Sequence, residues 1–149
     1  MFDIVFLYLR LARLDRPIGW LLLLWPTLWA VWIAGHGAPA WPIVFVFVAG
    51  AIVTRAAGCV VNDIADKNFD DKVKRTKYRP IASGKISVIQ GFVYASVLCL
   101  IALIILLQFN TFTIVLALLS MPFAFTYPLM KRFTYWPQLF LGITFNYGL

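Results

Sequence analysis

The chain has 149 residues and a formal net charge of +7; 62% of its residues are apolar and only 13% are charged. Soluble domains usually carry about 25% charged residues, so this composition excludes an ordinary soluble domain. The apolar residues come in runs of roughly twenty, the length that a helix needs to cross a bilayer. We therefore predict an all-α, polytopic membrane protein in a lipid bilayer, with basic cytoplasmic loops and no nucleic-acid partner.

The apolar runs predict a transmembrane helix bundle of four spans and a truncated fifth. Residues 1–16 are expected to form an interfacial lead-in to the first span. The two cysteines lie in separate apolar segments, so no disulfide is expected. The predicted spans cover about 17–34, 41–61, 88–107 and 111–130, and the last apolar segment, 136–149, is short for a crossing.

The basic residues predict the orientation of these spans. Three precede the first span, seven lie between spans two and three, two lie between spans four and five, and the other two turns have none. Because basic residues collect in cytoplasmic loops, the N-terminus and the polar segment 62–87 are expected in the cytoplasm. The N-terminal residues are not rich in Arg and Ser as a mitochondrial presequence is, which favours a bacterial inner membrane.

The polar segment 62–87 opens on a cluster of aspartates. All six acidic residues of the chain are Asp, and Asp63, Asp66, Asp70 and Asp71 fall within nine positions, directly after Asn62. On a helix, Asn62, Asp66 and Asp70 share one face, with Asp63 at its flank. Like charges at this spacing repel, and oxygen ligands without His or Cys suit Mg²⁺. The alternative is a solvated acidic patch that nearby lysines counter.

Basic residues follow the aspartates closely and favour a metal bridged to a phosphate. Arg75 and Arg79 are predicted to bind phosphate, because the guanidinium fork matches phosphate oxygens. The lysines of this segment are interpreted as topology charges, that is, positive charges that keep the loop in the cytoplasm and so set the orientation of the spans. Arg55 is the one basic residue embedded within a predicted span, and ionisable residues at such positions are usually functional.

Two motifs lie at and just after the aspartate cluster: N-D-x-x-D-x-x-x-D at 62–70 and K-R-T-x-x-R-P-x-x-S-G at 74–84. Both resemble motifs of the UbiA superfamily of intramembrane prenyltransferases. The strings R-A-A-G-C-V-V-N-D at 55–63 and D-R-P-I-G at 15–19 are similar to the branch of the family that prenylates 4-hydroxybenzoate. Tyr127 and Lys131 fit a Tyr-x-x-x-Lys pattern of the same family, so the resemblance covers essentially the whole chain.

The resemblance implies a bundle of about nine helices with a cavity that opens to lipid, and a second Asp-x-x-x-Asp motif in its second half. No acidic residue follows Asp71. We therefore expect residues 1–149 to be the N-terminal part of a single prenyltransferase domain, with 62–87 as its active-site loop, and activity to belong to the intact protein. The implied reaction is Mg²⁺-dependent transfer of a polyprenyl group from polyprenyl diphosphate to the ring carbon ortho to the hydroxyl of 4-hydroxybenzoate, in ubiquinone biosynthesis.

The resemblance also implies roles for single residues. Asp63, Asp66 and Asp70 are expected to be catalytic, with Mg²⁺ held by Asn62, Asp66 and Asp70, and with Asp63 acting either as a ligand or behind the ligands. The expected substrate-binding residues are Arg55, Asn62, Arg75, Arg79, Tyr127 and Lys131. Two of these have alternatives: Arg55 either anchors the substrate carboxylate or pairs with Asp66, and Lys131 either reaches the diphosphate or is a topology charge.

Three other functions are compatible with the same residues. The menaquinone, haem and chlorophyll branches of the family share the Asp motif but use other acceptors. A small transporter would use the aspartates to bind a permeating cation. A non-catalytic half would associate with another polypeptide.

Overall fold

The computed structural model describes residues 2–70 and 73–133 together with residues 136, 139 and 142, and for 123–133 it describes the backbone alone. Within these residues the chain is all-helical, which confirms the predicted fold class. The helices in chain order are α1 (Phe2–Leu11), α2 (Pro17–Ala34), α3 (Trp41–Ala65), α4 (Lys67–Asp70), α5 (Val88–Leu106) and α6 (Thr111–Phe133).

Three of the described helices, α2, α3 and α5, are long and apolar enough to cross a membrane. They match the first three predicted spans, and the predicted fourth span lies on α6. The predicted segment 136–149 lies mostly outside the described residues. Large apolar side chains on α2 and α5, such as Trp29 and Phe92, are exposed in the isolated chain. Such a surface suits lipid or further membrane helices and not water, so the chain is an integral membrane protein.

Proline and side-chain caps define where these helices begin. Pro17 occupies the first turn of α2, where its missing N–H leaves no intrahelical bond unmade. At α5, the Ser87 backbone N–H donates to Gln90 Oε1 at 2.9 Å and the Gln90 backbone N–H donates to Ser87 Oγ at 3.1 Å. This reciprocal capping box fixes the point at which the polar segment ends and the third span begins.

The structure divides into two compact units, Met1–Leu103 and Ile104–Leu149. In the second unit, the Thr113 backbone N–H donates to Asn110 Oδ1 at 2.8 Å and caps the start of α6. The first unit contains a hydrophobic core built from the N-terminal residues, α3, the polar segment and α5. Its buried members are Leu11, Ala12, Ala56, Ala57, Val60, Ile81, Ile86, Ala95 and Leu98.

The N-terminal residues, predicted as an interfacial lead-in, form α1 and pack into this core. Leu11 is completely buried, Ala12 is 2% exposed, and the Tyr8 ring contacts the Tyr94 ring of α5 edge-on at a centroid distance of 4.9 Å. One side of this segment therefore joins the core, whereas Ile4, Val5, Phe6 and Leu9 remain 40–61% exposed. An exposed apolar face is compatible with an interfacial lead-in, which stays a prediction.

Helix α3 continues four residues past the predicted end of the second span, to Ala65. The Asp66 N–H donates to the Asn62 carbonyl oxygen and the Asp70 N–H donates to the Asp66 carbonyl oxygen, both at 2.9 Å. The helical repeat therefore carries on through α4. Asp63 thus lies on α3, Asp66 caps its C-terminal end and Asp70 lies on α4, and the described residues from 73 to the start of α5 form a loop.

Candidate active site

Four charged side chains form a continuous ion-pair chain where α3 ends. Arg13 Nη2 donates to Asp63 Oδ1 at 2.7 Å, and Arg79 Nη1 donates to the same oxygen at 3.2 Å. Arg79 Nη1 also donates to Asp70 Oδ2 at 2.5 Å. Because Asp63 is 2% exposed and Asp70 is 7% exposed, these arginines provide the compensation that water supplies to a surface carboxylate.

The helical spacing of the aspartates explains why two of them meet one arginine. Asp63 and Asp70 are seven residues apart, about two helical turns, and the repeat continues through Asp66. Both carboxylates therefore point to the side on which Arg79 lies. The prediction placed Asp63 at the flank of the aspartate stripe, and the structure buries it between Arg13 of the α1–α2 turn and Arg79 of the basic loop.

Arg13 lies in the turn between α1 and α2, with its backbone in the left-handed region at a φ of 55°. Few residues other than glycine adopt this conformation. Burial is the largest single influence on the pKa of Arg13 and lowers it, but the neighbouring negative charges, Asp63 first, and the hydrogen bond to Asp63 together raise it by more. The net pKa therefore lies above its usual value. Arg13 is therefore a permanent cation beside Asp63.

The loop that carries Arg79 is held in place from both sides. On one side the Thr76 hydroxyl donates to the Asp70 carbonyl oxygen at 3.0 Å. On the other, Ile81 is 1% exposed and packs against α5 at Gly91, where a methyl group would lie only 2.8 Å from Ile81 Cδ1. These anchors determine where the Arg79 guanidinium meets the aspartates.

A cavity of about 770 Å³ lies beside the ion-pair chain and is lined by the α1–α2 turn, α3 and the basic loop. Its lining is strongly basic, because six arginines and only two aspartates contribute to it. An anionic ligand fits this imbalance. The charged lining residues are Arg10, Arg13, Arg16, Arg55, Arg75, Arg79, Asp15 and Asp63.

Three of the predicted substrate-binding residues, Arg55, Arg75 and Arg79, come together at this cavity with Asp63. Arg55 projects from α3 towards the first turn of α2, where a methyl group at Gly19 would lie 3.6 Å from Arg55 Nη2. Ile18, Trp20 and Ile52 supply an apolar wall to the same cavity. A guanidinium beside apolar side chains suits an aromatic carboxylate.

The predicted metal ligands have mixed environments. Asn62 Oδ1 is buried and has no hydrogen-bond partner among the described residues, which is unusual for a buried amide oxygen and fits a ligand atom. Within the described part of the chain, no three His, Cys, Asp or Glu side chains lie close enough to hold a metal by themselves. Mg²⁺ needs only one or two carboxylates when substrate phosphates complete its shell, so the donor set fits a metal that binds with the substrate.

Some predicted residues fall outside what the structure describes. Tyr127 and Lys131 lie on the helical backbone of α6, but their side chains are outside the described residues. Asp71, the last acidic residue of the cluster, also lies outside them. The predicted roles of Tyr127 and Lys131 stay predictions.

The N-terminal arginines of the cavity were missed as site residues. Arg10, Arg13 and Arg16 were interpreted as topology charges, yet all three line the cavity. The signal available in the sequence was indirect: an aspartate near the end of an apolar helix needs a cationic partner. Nothing in the sequence indicates which of the thirteen basic residues provides it.

Comparison with known proteins identifies the family. The profile described as the UbiA prenyltransferase family matches residues 23–149. The chain belongs to the UbiA prenyltransferase family. Members of this family generally depend on a divalent metal. No solved structure matches the chain.

Several curated relatives in the family are named 4-hydroxybenzoate octaprenyltransferase. The one from Coxiella burnetii is 52% identical over 142 residues, which are 95% of this chain and 50% of the relative. The one from Cupriavidus necator is 49% identical over 149 residues, 100% of this chain and 52% of the relative. The one from Pseudomonas fluorescens is 50% identical, over 95% of this chain and 48% of the relative. The chain thus spans about half the length of the curated relatives it matches.

Proposed function

We propose that the complete protein is a Mg²⁺-dependent 4-hydroxybenzoate polyprenyltransferase of ubiquinone biosynthesis, and that this chain supplies its N-terminal part. The reaction moves a polyprenyl group from polyprenyl diphosphate to the ring carbon ortho to the phenolic hydroxyl. The names of relatives about 50% identical to the chain support the acceptor. The observation that carries the proposal is the arginine-lined cavity beside the aspartate cluster, because a metal–diphosphate ligand needs both charges side by side.

The diphosphate end of the substrate is assigned to the basic loop and the aspartate cluster. Arg75 and Arg79 bind its oxygens, since guanidinium groups pair with phosphate bidentately. Asn62, Asp66 and Asp70 hold the metal, and the buried Asn62 Oδ1 without a described partner supports this. A divalent metal held there would supply positive charge to the leaving diphosphate. Tyr127 and Lys131 are proposed as further diphosphate ligands.

The acceptor is assigned to the part of the cavity around Arg55. Its guanidinium binds the carboxylate of 4-hydroxybenzoate, and the apolar wall of Ile18 and Trp20 contacts the ring. As the allylic C–O bond breaks, the ortho ring carbon forms the new C–C bond and then loses its proton, while the diphosphate leaves with the bonding electron pair. The buried surroundings of Asp63 support exclusion of water, which would otherwise capture the allylic carbon.

Orientation and location follow from the charge distribution. We propose a bacterial inner membrane, with the N-terminus and the basic loop in the cytoplasm. The clustering of basic residues before α2 and between α3 and α5 supports this orientation. The three described membrane-length helices support an integral location.

The test is a prenyl-transfer assay on the complete protein in detergent or nanodiscs. With labelled polyprenyl diphosphate and Mg²⁺, 4-hydroxybenzoate is expected to be prenylated, and EDTA is expected to stop the reaction until Mg²⁺ is restored in excess. Acceptors of the menaquinone, haem and chlorophyll branches serve as comparisons. Transfer to one of those acceptors and not to 4-hydroxybenzoate would refute the assignment. Cation uptake into proteoliposomes without transfer would favour a transporter.

A further inference from the structure

Two arginines share one oxygen of a buried carboxylate, and they do so unequally. Arg13 Nη2 lies 2.7 Å from Asp63 Oδ1, whereas Arg79 Nη1 lies 3.2 Å from it. One arginine is enough to neutralise one carboxylate. The second arginine at Asp63 is therefore available for another charge, provided that the first stays in place.

The two arginines also differ in how many carboxylates they contact. Arg13 directly follows Leu11 and Ala12, which are buried in the core of the first unit. Its contact with Asp63 joins the N-terminal turn to α3, fifty positions apart in sequence. Arg79 projects from the basic loop, and its Nη1 divides between Asp63 and Asp70. Among the described ion pairs, Arg13 thus serves Asp63 alone, and Arg79 is shared.

We propose that Arg13 is a positioning residue: it is the permanent counter-ion of Asp63, and it thereby allows Arg79 to leave the aspartates and bind the diphosphate of the prenyl substrate. This inference rests on the proposed function. In the structure Arg79 pairs with both carboxylates. A diphosphate in the cavity would draw Arg79 to a phosphate oxygen, and Asp70 would then be free to hold a divalent metal.

The cost of an unpaired buried charge is what makes Arg13 necessary. Asp63 is 2% exposed, so water does not replace a departing arginine. Without Arg13, movement of Arg79 to the diphosphate would leave Asp63 charged, buried and unpaired, a situation that is strongly unfavourable. Arg79 would then stay on Asp63, and the diphosphate would lose a ligand. Arg13 thus acts on substrate binding through Asp63.

The experiment measures the affinity of the full-length protein for inorganic pyrophosphate in the presence of Mg²⁺, by isothermal titration calorimetry in detergent. Arg13→Gln is expected to weaken binding about tenfold, which corresponds to ~1.4 kcal/mol. The double variant Arg13→Gln with Asp63→Asn removes both charges and is expected to bind within about threefold of Asp63→Asn alone, because without a charge at Asp63 Arg79 is free to move whether or not Arg13 is present. Arg10→Gln removes the same charge from the same cavity and is expected to cause a smaller loss.

Each outcome decides the matter. A loss on Arg13→Gln that disappears when Asp63→Asn is already present supports the proposal, because a purely structural role or a direct Arg13–phosphate contact would persist without the Asp63 charge. An unchanged affinity of Arg13→Gln, a double variant about tenfold weaker than Asp63→Asn, or a loss in Arg10→Gln as large as that in Arg13→Gln overturns it. If Arg13→Gln does not fold, the comparison of the double variant with Asp63→Asn decides by the same threefold limit. No binding of pyrophosphate by the wild type would refute the proposed function, and this inference with it.

Discussion

Gly91 is the contact through which α5 supports the basic loop, and a methyl group there tests that support. In the structure a methyl at Gly91 would lie 2.8 Å from Ile81 Cδ1 and 3.4 Å from Ile64 Cγ1. Ordinary van der Waals contact begins near 3.4 Å. In Gly91→Ala, Ile81 Cδ1 must therefore move by about 0.6 Å within a site that is 1% exposed.

The change that Gly91→Ala makes in the free energy of unfolding has two opposing contributions. Crowding a packed core costs about 1–3 kcal/mol, and the lower end applies here because Cδ1 is the end of a flexible side chain. Replacing glycine by alanine within a helix gains up to ~1 kcal/mol. The net effect of Gly91→Ala on the free energy of unfolding is therefore small, and the single variant does not isolate the contact.

A double-mutant cycle isolates the contact between Gly91 and the Ile81 side chain. Ile81→Val removes the crowded Cδ1 and by itself costs about 0.5–1.5 kcal/mol. With both changes the alanine methyl occupies the space that Cδ1 left, so the double variant is expected to be more stable than the sum of the singles by ~1 kcal/mol. The helix-propensity contribution cancels in the cycle.

The assay is unfolding of the full-length protein by SDS in mixed micelles, followed by circular dichroism, for the wild type, both single variants and the double variant. A coupling energy below about 0.5 kcal/mol is within the usual error of additivity. That result would show that Ile81 does not press on Gly91 and would refute the account of how the loop is held.

Three further variants test the site. Asp66→Asn is expected to abolish prenyl transfer by the complete protein while membrane insertion persists, and retained turnover in the labelled transfer assay would remove Asp66 from the metal site. Thr76→Val removes the hydroxyl that donates to the Asp70 carbonyl and should lower the free energy of unfolding by ~1 kcal/mol in the same SDS titration; an unchanged midpoint would contradict that contact. Gly19→Leu should raise KM for 4-hydroxybenzoate severalfold while pyrophosphate affinity stays constant, because the new side chain extends towards Arg55; equal losses of both would contradict separate subsites.

The fold class and the elements could be predicted from the sequence because both are local properties. The starts of α2, α3, α5 and α6 agree with the predicted starts at 17, 41, 88 and 111, since a run of apolar residues and the proline or cap at its edge lie within a few positions of each other. The end of α3 was predicted four residues too early. Hydropathy falls at Asn62, but the backbone stays helical because the hydrogen bonds continue to Asp70.

The aspartate and arginine motifs could also be identified from the sequence, since spacing along one segment is visible there. The sequence did not reveal which aspartate pairs with which arginine. The sequence set Asp63 beside the aspartate stripe and treated Arg13 as a topology charge, whereas the structure joins the two at 2.7 Å. Ion pairs between residues fifty positions apart depend on how α1 packs against α3.

The sequence by itself determined that this chain is a membrane-embedded helical protein with an acidic cluster followed by a basic segment, because composition, periodicity and motif spacing are written along the chain. Only the tertiary structure decided that α1 is part of the core, that Asp63 is buried between Arg13 and Arg79, and that six arginines from separate segments surround one cavity. The physical reason is that desolvation and pairing of charges depend on three-dimensional neighbours, which the order of residues does not specify.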